Sequence, residues 1–404
     1  MNRLWRGAAA MTALLVGACL APMDPSKADV ELVHVSFGAA RRTVDTIAVR
    51  ATTRANAVAY AAEGHDVGIT RFEFSSSDAL VAVVDSLGTV RGIAPGTAVI
   101  TARAPSGEEG RATIVVIPST IAYRITLGGP PEALAFSIDA TRLYVPVRPD
   151  SLAVIDALGQ LRVATVSLGA GANRAAAITT HVIAFEAGAS SAALLSVATE
   201  RASGALAVGA PSHDIVALGE RAYAAQGAAS RIAIIEGNAV VGHIAVTGEP
   251  MHLAVSRREP RLAAAVRSGS SWRAVILAMP SGSQLASIAL AGEPTALALS
   301  GDGSRLFVLD AARRRVDVFA APAYALVGSI TTGESPGDLD VRQTGTPLVV
   351  VSGEPLVMFD GLTLQEVERI PDVGRGLVSI RPDGLFVYVT DPGSNVVRVV
   401  ALAP

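Results

Sequence analysis

A few side chains with chemical capacity recur at one register of a sequence period. Two of the six histidines, His213 and His252, lie 39 residues apart, and Asp214 follows the first of them directly. Imidazole and carboxylate groups brought together can hold a metal ion or act as acid and base. Other polar residues stand at the same offset in neighbouring stretches of sequence: Glu132, Asn173, Arg174 and Asp338. They form one site only if the fold gathers equivalent positions at one centre.

A repeat of about 40 residues supplies such a fold. Its turn glycines are spaced by 40, 40, 39, 44, 41 and 41 residues and are Gly129, Gly169, Gly209, Gly248, Gly292, Gly333 and Gly374. Short apolar runs typical of strands follow each glycine. A fixed period of this length built from short strands is typical of β-propellers, in which each repeat is one four-stranded blade. The sequence therefore predicts a seven-bladed β-propeller over residues 119–404.

Three repeats also carry a motif. The seventh repeat has the turn Arg381-Pro382-Asp383-Gly384 and then Tyr388-Val389-Thr390-Asp391, which resembles the signature of the YVTN family of β-propeller repeats. Weaker copies are Phe307-Val308-Leu309-Asp310 and Tyr144-Val145-Pro146-Val147. The other four repeats keep the spacing and lose most of the signature, and the related NHL and SMP-30-like propeller families are the alternatives. The resemblance implies a propeller and assigns no catalytic residue.

The ends of the repeat region predict how the ring closes. The seventh repeat supplies only three strand-like runs, at 377–380, 386–390 and 396–402. An unmatched run at 121–127 precedes the first repeat. Pairing this run with the last one completes the seventh blade and removes an exposed sheet edge.

The region before the repeats, residues 30–118, has a different pattern. Turn signals separate strand-like runs at 32–37, 46–52, 69–75, 81–84, 98–102 and 112–117. Several short strands without helical periodicity predict a β-sandwich. Val81, Val83, Val90, Ile93 and Ile100 are predicted to form its inward face.

The second half of this region resembles the bacterial Ig-like domains of group 2. The resemblance rests on Ser75-Ser76-Ser77-Asp78, Val81 to Asp85, Gly88-Thr89-Val90, Gly92 to Thr97 and Ile100-Thr101-Ala102. It implies a spacer or adhesion module without catalytic residues. The predicted fold class is thus all-β, an Ig-like sandwich followed by a propeller.

The start of the chain resembles the signal of a bacterial lipoprotein. Arg3 and Arg6 precede a short apolar stretch, and Val16-Gly17-Ala18-Cys19 resembles a lipobox. The resemblance implies a signal peptide at 1–18, lipidation of Cys19 and a tether at 19–29. Cys19 is the one cysteine of the chain, so it has no internal disulfide partner. Leu20 at the following position implies outer-membrane sorting, and the alternative is an ordinary signal peptide.

Alignment of the repeats predicts two polar rings on one propeller face. The candidate ligand-binding ring at the channel mouth is Glu132, Asn173, Arg174, His213, Asp214, His252 and Asp338. The companion rim, at the ends of the second strands, is Arg148, Glu186, Gln226, Arg267, Asp310 and Asp391. Mixed charges suit recognition of a polar partner, and they equally suit salt bridges between blades, which are weak when exposed.

Composition and motifs narrow the function classes. The net charge of -3, with 33 basic and 36 acidic residues, argues against a nucleic-acid partner. No nucleophile elbow, phosphate loop, paired-cysteine motif or calcium loop occurs, and no cofactor is predicted. The sequence predicts a lipid-anchored binding or scaffold module of the cell envelope, with a protein or glycan partner. The alternative is a propeller enzyme of the lyase or lactonase kind with a His, Glu and Asp site, with or without a metal.

Overall fold

The computed structural model describes residues 30–37, 42–49, 52–117 and 121–402. Strands dominate these ranges, and one turn of 3-10 helix lies at Gly227–Ala229. No helix in the described ranges has the length and apolar character needed to cross a membrane. The predicted signal peptide, Cys19 and the tether lie outside the described residues.

The first unit is a sandwich of two four-stranded sheets. Its strands are β1 (Leu32–Phe37), β2 (Val44–Ala48), β3 (Thr52–Tyr60), β4 (Glu73–Ser76), β5 (Ala82–Val84), β6 (Thr89–Gly92), β7 (Gly96–Arg103) and β8 (Glu109–Ile117). One sheet has the order β1-β3-β6-β5 and the other β2-β8-β7-β4, with β2 parallel to β8. Phe37, Val90, Ile100 and Ile114 are fully buried between the sheets. The predicted sandwich is confirmed.

Some local predictions for this unit were wrong. The run predicted at 46–52 does not form one strand, because β2 ends at Ala48 and β3 begins at Thr52. The strand predicted at 69–75 begins only at Glu73. Val83 is 37% exposed whereas Ala82 is fully buried, because successive side chains of a strand point to opposite faces. The inward residue of this strand is therefore Ala82, and the predicted inward position of Val83 is wrong.

Seven four-stranded sheets follow within residues 121–402 and form the blades of a propeller. Strand β9 (Ile121–Thr126) comes first in the chain and belongs to the seventh blade. The strands of blades 1 to 4 are β10 (Ala135–Phe136), β11 (Arg142–Val147), β12 (Ser151–Asp156) and β13 (Leu161–Ser167); β14 (Arg174–Ala177), β15 (His181–Phe185), β16 (Ala189–Ser196) and β17 (Arg201–Ser212); β18 (Asp214–Leu218), β19 (Arg221–Gln226), β20 (Arg231–Glu236) and β21 (Ala239–Ala245); β22 (Glu249–Ser256), β23 (Arg261–Ser268), β24 (Ser271–Ala278) and β25 (Ser283–Leu290).

The remaining blades have the same order, from the inner to the outer strand. Their strands are β26 (Ala296–Leu299), β27 (Arg305–Asp310), β28 (Arg315–Ala320) and β29 (Ala325–Thr331); β30 (Leu339–Val341), β31 (Leu348–Val351), β32 (Leu356–Asp360) and β33 (Glu366–Ile370); β34 (Val378–Ile380), β35 (Phe386–Asp391) and β36 (Val396–Ala401), with β9 as the outer strand of the last blade.

The closure predicted from the sequence is confirmed. Strand β9 pairs antiparallel with β36, so that Thr126 lies opposite Val396 and Tyr123 opposite Val399. The N–H of Leu127 donates to the carbonyl of Asn395 and extends this pairing by one bond. The two ends of the repeat region therefore form one sheet.

Apolar clusters between neighbouring blades form the core of the ring. Along β11, Leu143 and Val145 pack toward the seventh blade, whereas Tyr144 between them packs toward the second. This alternation follows from the two-residue period of a strand. Small side chains allow close stacking, as in the fully buried run Ala263, Ala264 and Ala265 of β23. A chain with only 4% aromatic residues can therefore fill seven blade junctions.

The sandwich lies against the sixth blade. Val367 of the outer strand β33 packs on the apolar core of the first unit. Burial lowers the pKa of Arg342 in the same blade, and the like charge of Arg91 in the sandwich adds to the effect. The first unit thus contacts the ring at its outer edge, away from the central channel.

Candidate functional site

The seven inner strands line a central channel with two chambers. We call the face that carries the connections between blades the upper face, and the opposite one the lower face. The upper chamber has a volume of about 280 Å³ and the lower chamber about 210 Å³. Asp340 and Ser379 line both chambers. An inner strand has no neighbour on its channel side, so its N–H groups there need other acceptors.

Two acidic side chains of the sixth blade supply such acceptors. Asp338 Oδ2 accepts the N–H of Val378 at 3.0 Å. Asp340 Oδ2 accepts the N–H of Ile380 at 2.8 Å, and its Oδ1 accepts the N–H of Val341 at 2.7 Å. Both carboxylates therefore join the inner strand of the sixth blade to that of the seventh.

Burial changes the protonation of these two acids. It raises the pKa of Asp338 to about 7 and that of Asp340 to about 6. The N–H bonds lower both values in part, while the nearby charges of Asp340 and Asp214 raise that of Asp338 further. The channel wall therefore carries acids that titrate near neutral pH.

Asp214 makes the equivalent connection between the third and fourth blades. Its Oδ2 accepts the N–H of Leu253 at 2.8 Å, and its Oδ1 accepts its neighbour Ile215 N–H at 2.9 Å. Arg174 Nε lies 3.7 Å from Asp214 Oδ1. The same guanidinium donates to the carbonyls of His213 at 3.1 Å and Asn173 at 2.8 Å. Arg174 is thus held over the second and third blades.

The two histidines occupy different positions. His252 lines the upper chamber, and burial lowers its pKa while the charge of Asp214 partly opposes this. The ring is therefore neutral at pH 7 and has one donor and one acceptor nitrogen. His213 is not part of the chamber lining, and its ring packs close to Gly227 and Met251. Among the described residues no group of three or more His, Cys, Asp or Glu side chains is arranged to hold a metal ion.

A hydrogen-bonded network connects the first and second blades at the upper rim. Arg148 donates to Glu132 Oε1 at 2.8 Å and to Glu186 Oε1 at 3.3 Å. Asn173 Nδ2 donates to the same Glu186 oxygen at 3.0 Å. Asn173 Oδ1 in turn accepts the N–H of Ala187 at 2.8 Å. We call Glu132, Arg148, Asn173 and Glu186 the rim network.

The rest of the companion rim does not form a continuous ring. Gln226 is fully buried and donates to the carbonyl of Val208, and its Oε1 accepts from Arg231 Nε at 2.7 Å. The other three members pair with a neighbour in the same blade. Those pairs are Arg267 with Glu249, Asp310 with Arg313 and Asp391 with Arg398. Of the predicted channel-mouth residues, the upper chamber gathers Asn173, Arg174, Asp214, His252 and Asp338.

The sequence-based prediction did not include four polar residues that line the lower chamber: Arg257, Asp340, Gln343 and Ser379. Asp340 could have been found, because it stands two residues after Asp338, which directly precedes β30, and positions two apart in extended chain share a face. Arg257 follows the end of β22 in a loop of the lower face, which the alignment of upper-face positions did not cover.

Comparison with known proteins supports the two-part architecture. Residues 42–115 match the sequence family described as bacterial Ig-like domain (group 2). No curated protein sequence matches the chain. Among solved structures, one titled Kuenenia stuttgartiensis Hydrazine Synthase is similar with a TM-score of 0.58 and 17% sequence identity, over 69% of this chain and 97% of that chain. At this identity the likeness concerns the fold. The chain therefore combines a group 2 bacterial Ig-like domain with a β-propeller.

Proposed function

We propose that this protein is an envelope lipoprotein whose propeller recognises a protein or glycan partner across its upper face, with the Ig-like domain as a spacer. The observation that carries the proposal is the rim network, in which four side chains from two blades are fixed by mutual hydrogen bonds. A surface whose side chains are ordered before binding loses less conformational entropy when a partner docks. Rigid polar rims of this kind suit recognition.

The upper chamber favours a protein over a glycan. Its lining contains no Phe, Trp or Tyr in the described residues. Sugar-binding sites use such flat rings to stack on the apolar face of a sugar, and this chamber offers Ala, Leu, Ile and Val instead. The groups left available at the mouth are the neutral His252 ring and the outer lone pairs of the rim carboxylates. They suit the backbone and polar side chains of an inserted loop.

Capture from the native envelope tests this proposal. The full chain is immobilised beside the variants Arg148→Ala and Arg221→Ala, and bound proteins are identified and then purified for affinity measurement. Arg221 is the matched control, because it is similarly exposed and pairs with Glu236 at 3.0 Å at the lower end of the third blade. We expect Arg148→Ala to weaken the partner's affinity at least about tenfold, with no change for Arg221→Ala. Equal affinity of both variants, or binding only to a glycan array, would contradict a protein partner on this rim.

A second candidate, an enzyme of the lyase or lactonase kind, rests on His252 beside Asp214. A neutral imidazole within reach of a carboxylate can act as a general base. Metal analysis of the purified protein and of His213→Ala and His252→Ala separates the two candidates. Stoichiometric metal that both substitutions remove would favour the enzyme, whereas metal-free protein with unchanged partner binding would exclude a metal-dependent one.

The proposal also includes a lipid anchor at the N-terminus and a repeat type for the blades. Cys19 follows Val16-Gly17-Ala18 and is the proposed site of lipidation, with the outer membrane as destination. Two or more acyl chains anchor a protein stably, whereas one chain gives reversible attachment. Mass spectrometry of the mature N-terminus should find an acylated Cys19, and an unmodified cysteine would refute the anchor. The blades are proposed to be of the YVTN type on the motif Tyr388-Val389-Thr390-Asp391.

A further inference from the structure

The lower chamber carries an arginine that the fold does not use. Arg257 lines this chamber, and within the described residues its guanidinium has no hydrogen-bond acceptor or ion pair. Two arginines in other lower-face loops are engaged, since Arg342 donates to the carbonyl of Thr346 at 3.0 Å and Arg381 to that of Ala157 at 2.6 Å. A guanidinium presents five N–H donors, so its unused donors face the chamber.

The loop that carries Arg257 is held in place. The N–H of Arg257 donates to Gln343 Oε1 at 3.3 Å, and the N–H of Arg258 donates to the carbonyl of Gly301 at 2.8 Å. The buried hydroxyl of Ser256 donates to the carbonyl of Glu259 at 2.5 Å. Gln343 is itself fixed by bonds from its Nε2 to two carbonyls. The fourth, fifth and sixth blades thus position the base of this side chain.

An acid faces the arginine across the chamber. Asp340 lines the same space and is the opposite charge that acts on Arg257, yet the two form no ion pair. The Asp340 carboxylate accepts the N–H groups of Val341 and Ile380 and a hydrogen bond from the Ser379 side chain, and its four lone pairs leave room for one further donor. Most of the other residues that line this chamber are apolar, among them Leu134, Leu297 and Ile380. The chamber therefore presents a cation and an anion, separated, between apolar walls.

We propose that the lower chamber binds a small zwitterion of the α-amino acid class, with its carboxylate on Arg257 and its ammonium on Asp340. The planar guanidinium can bind a carboxylate through two parallel N–H bonds. The chamber volume of about 210 Å³ leaves room for several water molecules and therefore for an amino acid with a short aliphatic side chain. This site lies on the opposite face from the rim network and does not depend on the proposed partner.

Isothermal titration calorimetry of the full chain tests the proposal with three classes of probe. L-alanine and L-valine are the zwitterions, butyrate carries only the anion and butylamine only the cation. We expect saturable binding of a zwitterion, with butyrate and butylamine each at least about tenfold weaker. Arg257→Ala and Asp340→Asn should each weaken zwitterion binding at least about tenfold. Arg258→Ala is the matched control, because this neighbouring arginine is exposed and does not line the chamber.

Several results would overturn the assignment. Absence of binding by both amino acids refutes the site. Butyrate as tight as valine, with no effect of Asp340→Asn, shows an anion site rather than a zwitterion site. Unchanged affinity in Arg257→Ala places the ligand elsewhere, and because Arg257 is solvent-accessible this variant should fold even if Asp340→Asn does not.

Discussion

The seventh blade is joined to the first in a different way than the sixth is joined to the seventh. At the closing junction, Arg381 and the Tyr388 hydroxyl donate to the carbonyl of Ala157 at 2.6 and 3.1 Å, and Tyr388 also meets Gln160 Oε1 at 2.8 Å. These groups are buried near the lower face. Between the sixth and seventh blades, the carboxylates of Asp338 and Asp340 accept N–H groups in the channel.

Polar groups give the junctions of this repeated fold their individual character. Apolar residues fill every boundary, and their burial is not directional, so it distinguishes one neighbour from another less sharply than hydrogen bonds do. Polar groups do so, because a buried donor or acceptor left without its partner costs free energy. At one junction the side chains donate to carbonyls, and at the other they accept from N–H groups. Each blade therefore fits its own neighbour best.

Of the changes considered, removal of strand β9 should reduce the stability of the propeller most. Deletion of residues 121–127 exposes the edge of β36 and removes Ile125 and Leu127 from the core between the seventh and first blades. We expect loss of cooperative melting of the ring by differential scanning calorimetry. Ile125→Asp should lower stability by at least about 3 kcal/mol, since it buries an unpaired charge. The control Tyr123→Ala, at a position 47% exposed on the same strand, should change little. Unchanged melting of the deletion would mean that the ring does not depend on this closure.

Loss of one hydroxyl at the closing junction should have the next largest effect. Tyr388→Phe leaves the buried side-chain oxygen Oε1 of Gln160 without its donor and should lower the free energy of unfolding by about 1–3 kcal/mol. Tyr144→Phe is a matched control at the equivalent third position of its strand. Its hydroxyl is buried and has no hydrogen-bond partner in the described residues, so its removal should be neutral or slightly stabilising. Equal losses of unfolding free energy in urea for the two variants would remove the distinction between these blades.

The junction at the sixth blade should respond to pH. The pKa of Asp338 is raised to about 7 from 3.8, so between these values the folded state keeps a proton that the unfolded state loses. Stability from this group is therefore lost as pH rises through the folded-state pKa. We expect the melting temperature of the wild type to fall between about pH 4 and about pH 7, and Asp338→Asn to reduce that slope. Asn keeps an acceptor for the N–H of Val378 without the charge. An identical slope in the variant would place the titrating group elsewhere.

Substitution on the upper rim should have the smallest effect on stability. Arg148 is 45% exposed and its pairs with Glu132 and Glu186 lie at the surface. Exposed ion pairs contribute roughly 0–1 kcal/mol, so Arg148→Ala should unfold in urea at nearly the wild-type midpoint. Its effect on partner binding should be larger than its effect on folding. A destabilisation as large as that of Tyr388→Phe would instead make the rim network a structural junction.

The sequence predicted the fold more completely than the site. Period, turn glycines and the unmatched run at 121–127 were sufficient for seven blades and their closure, because strand pairing follows local patterns. The channel-mouth alignment located Asp214, His252 and Asp338, but it did not reveal that two of them accept N–H groups from the next blade. Such bonds join residues about 40 positions apart and depend on the angle between blades. The sequence did not predict Arg257 as a channel residue for a related reason: only the folded ring brings its loop to the chamber that Asp340 also lines.

The closing strand also determines how the ring responds to mechanical load. Residues 118–120 connect the last sandwich strand to Ile121, the first residue of β9. A pull on the Ig-like domain therefore reaches the propeller through β9 and acts first on its bonds to β36. Each of the other six blades is a continuous stretch of chain with four consecutive strands. The seventh blade is thus the one blade of the described ring whose strands come from both ends of the repeat region, and its β9–β36 pairing is the first inside the ring that such a pull would load.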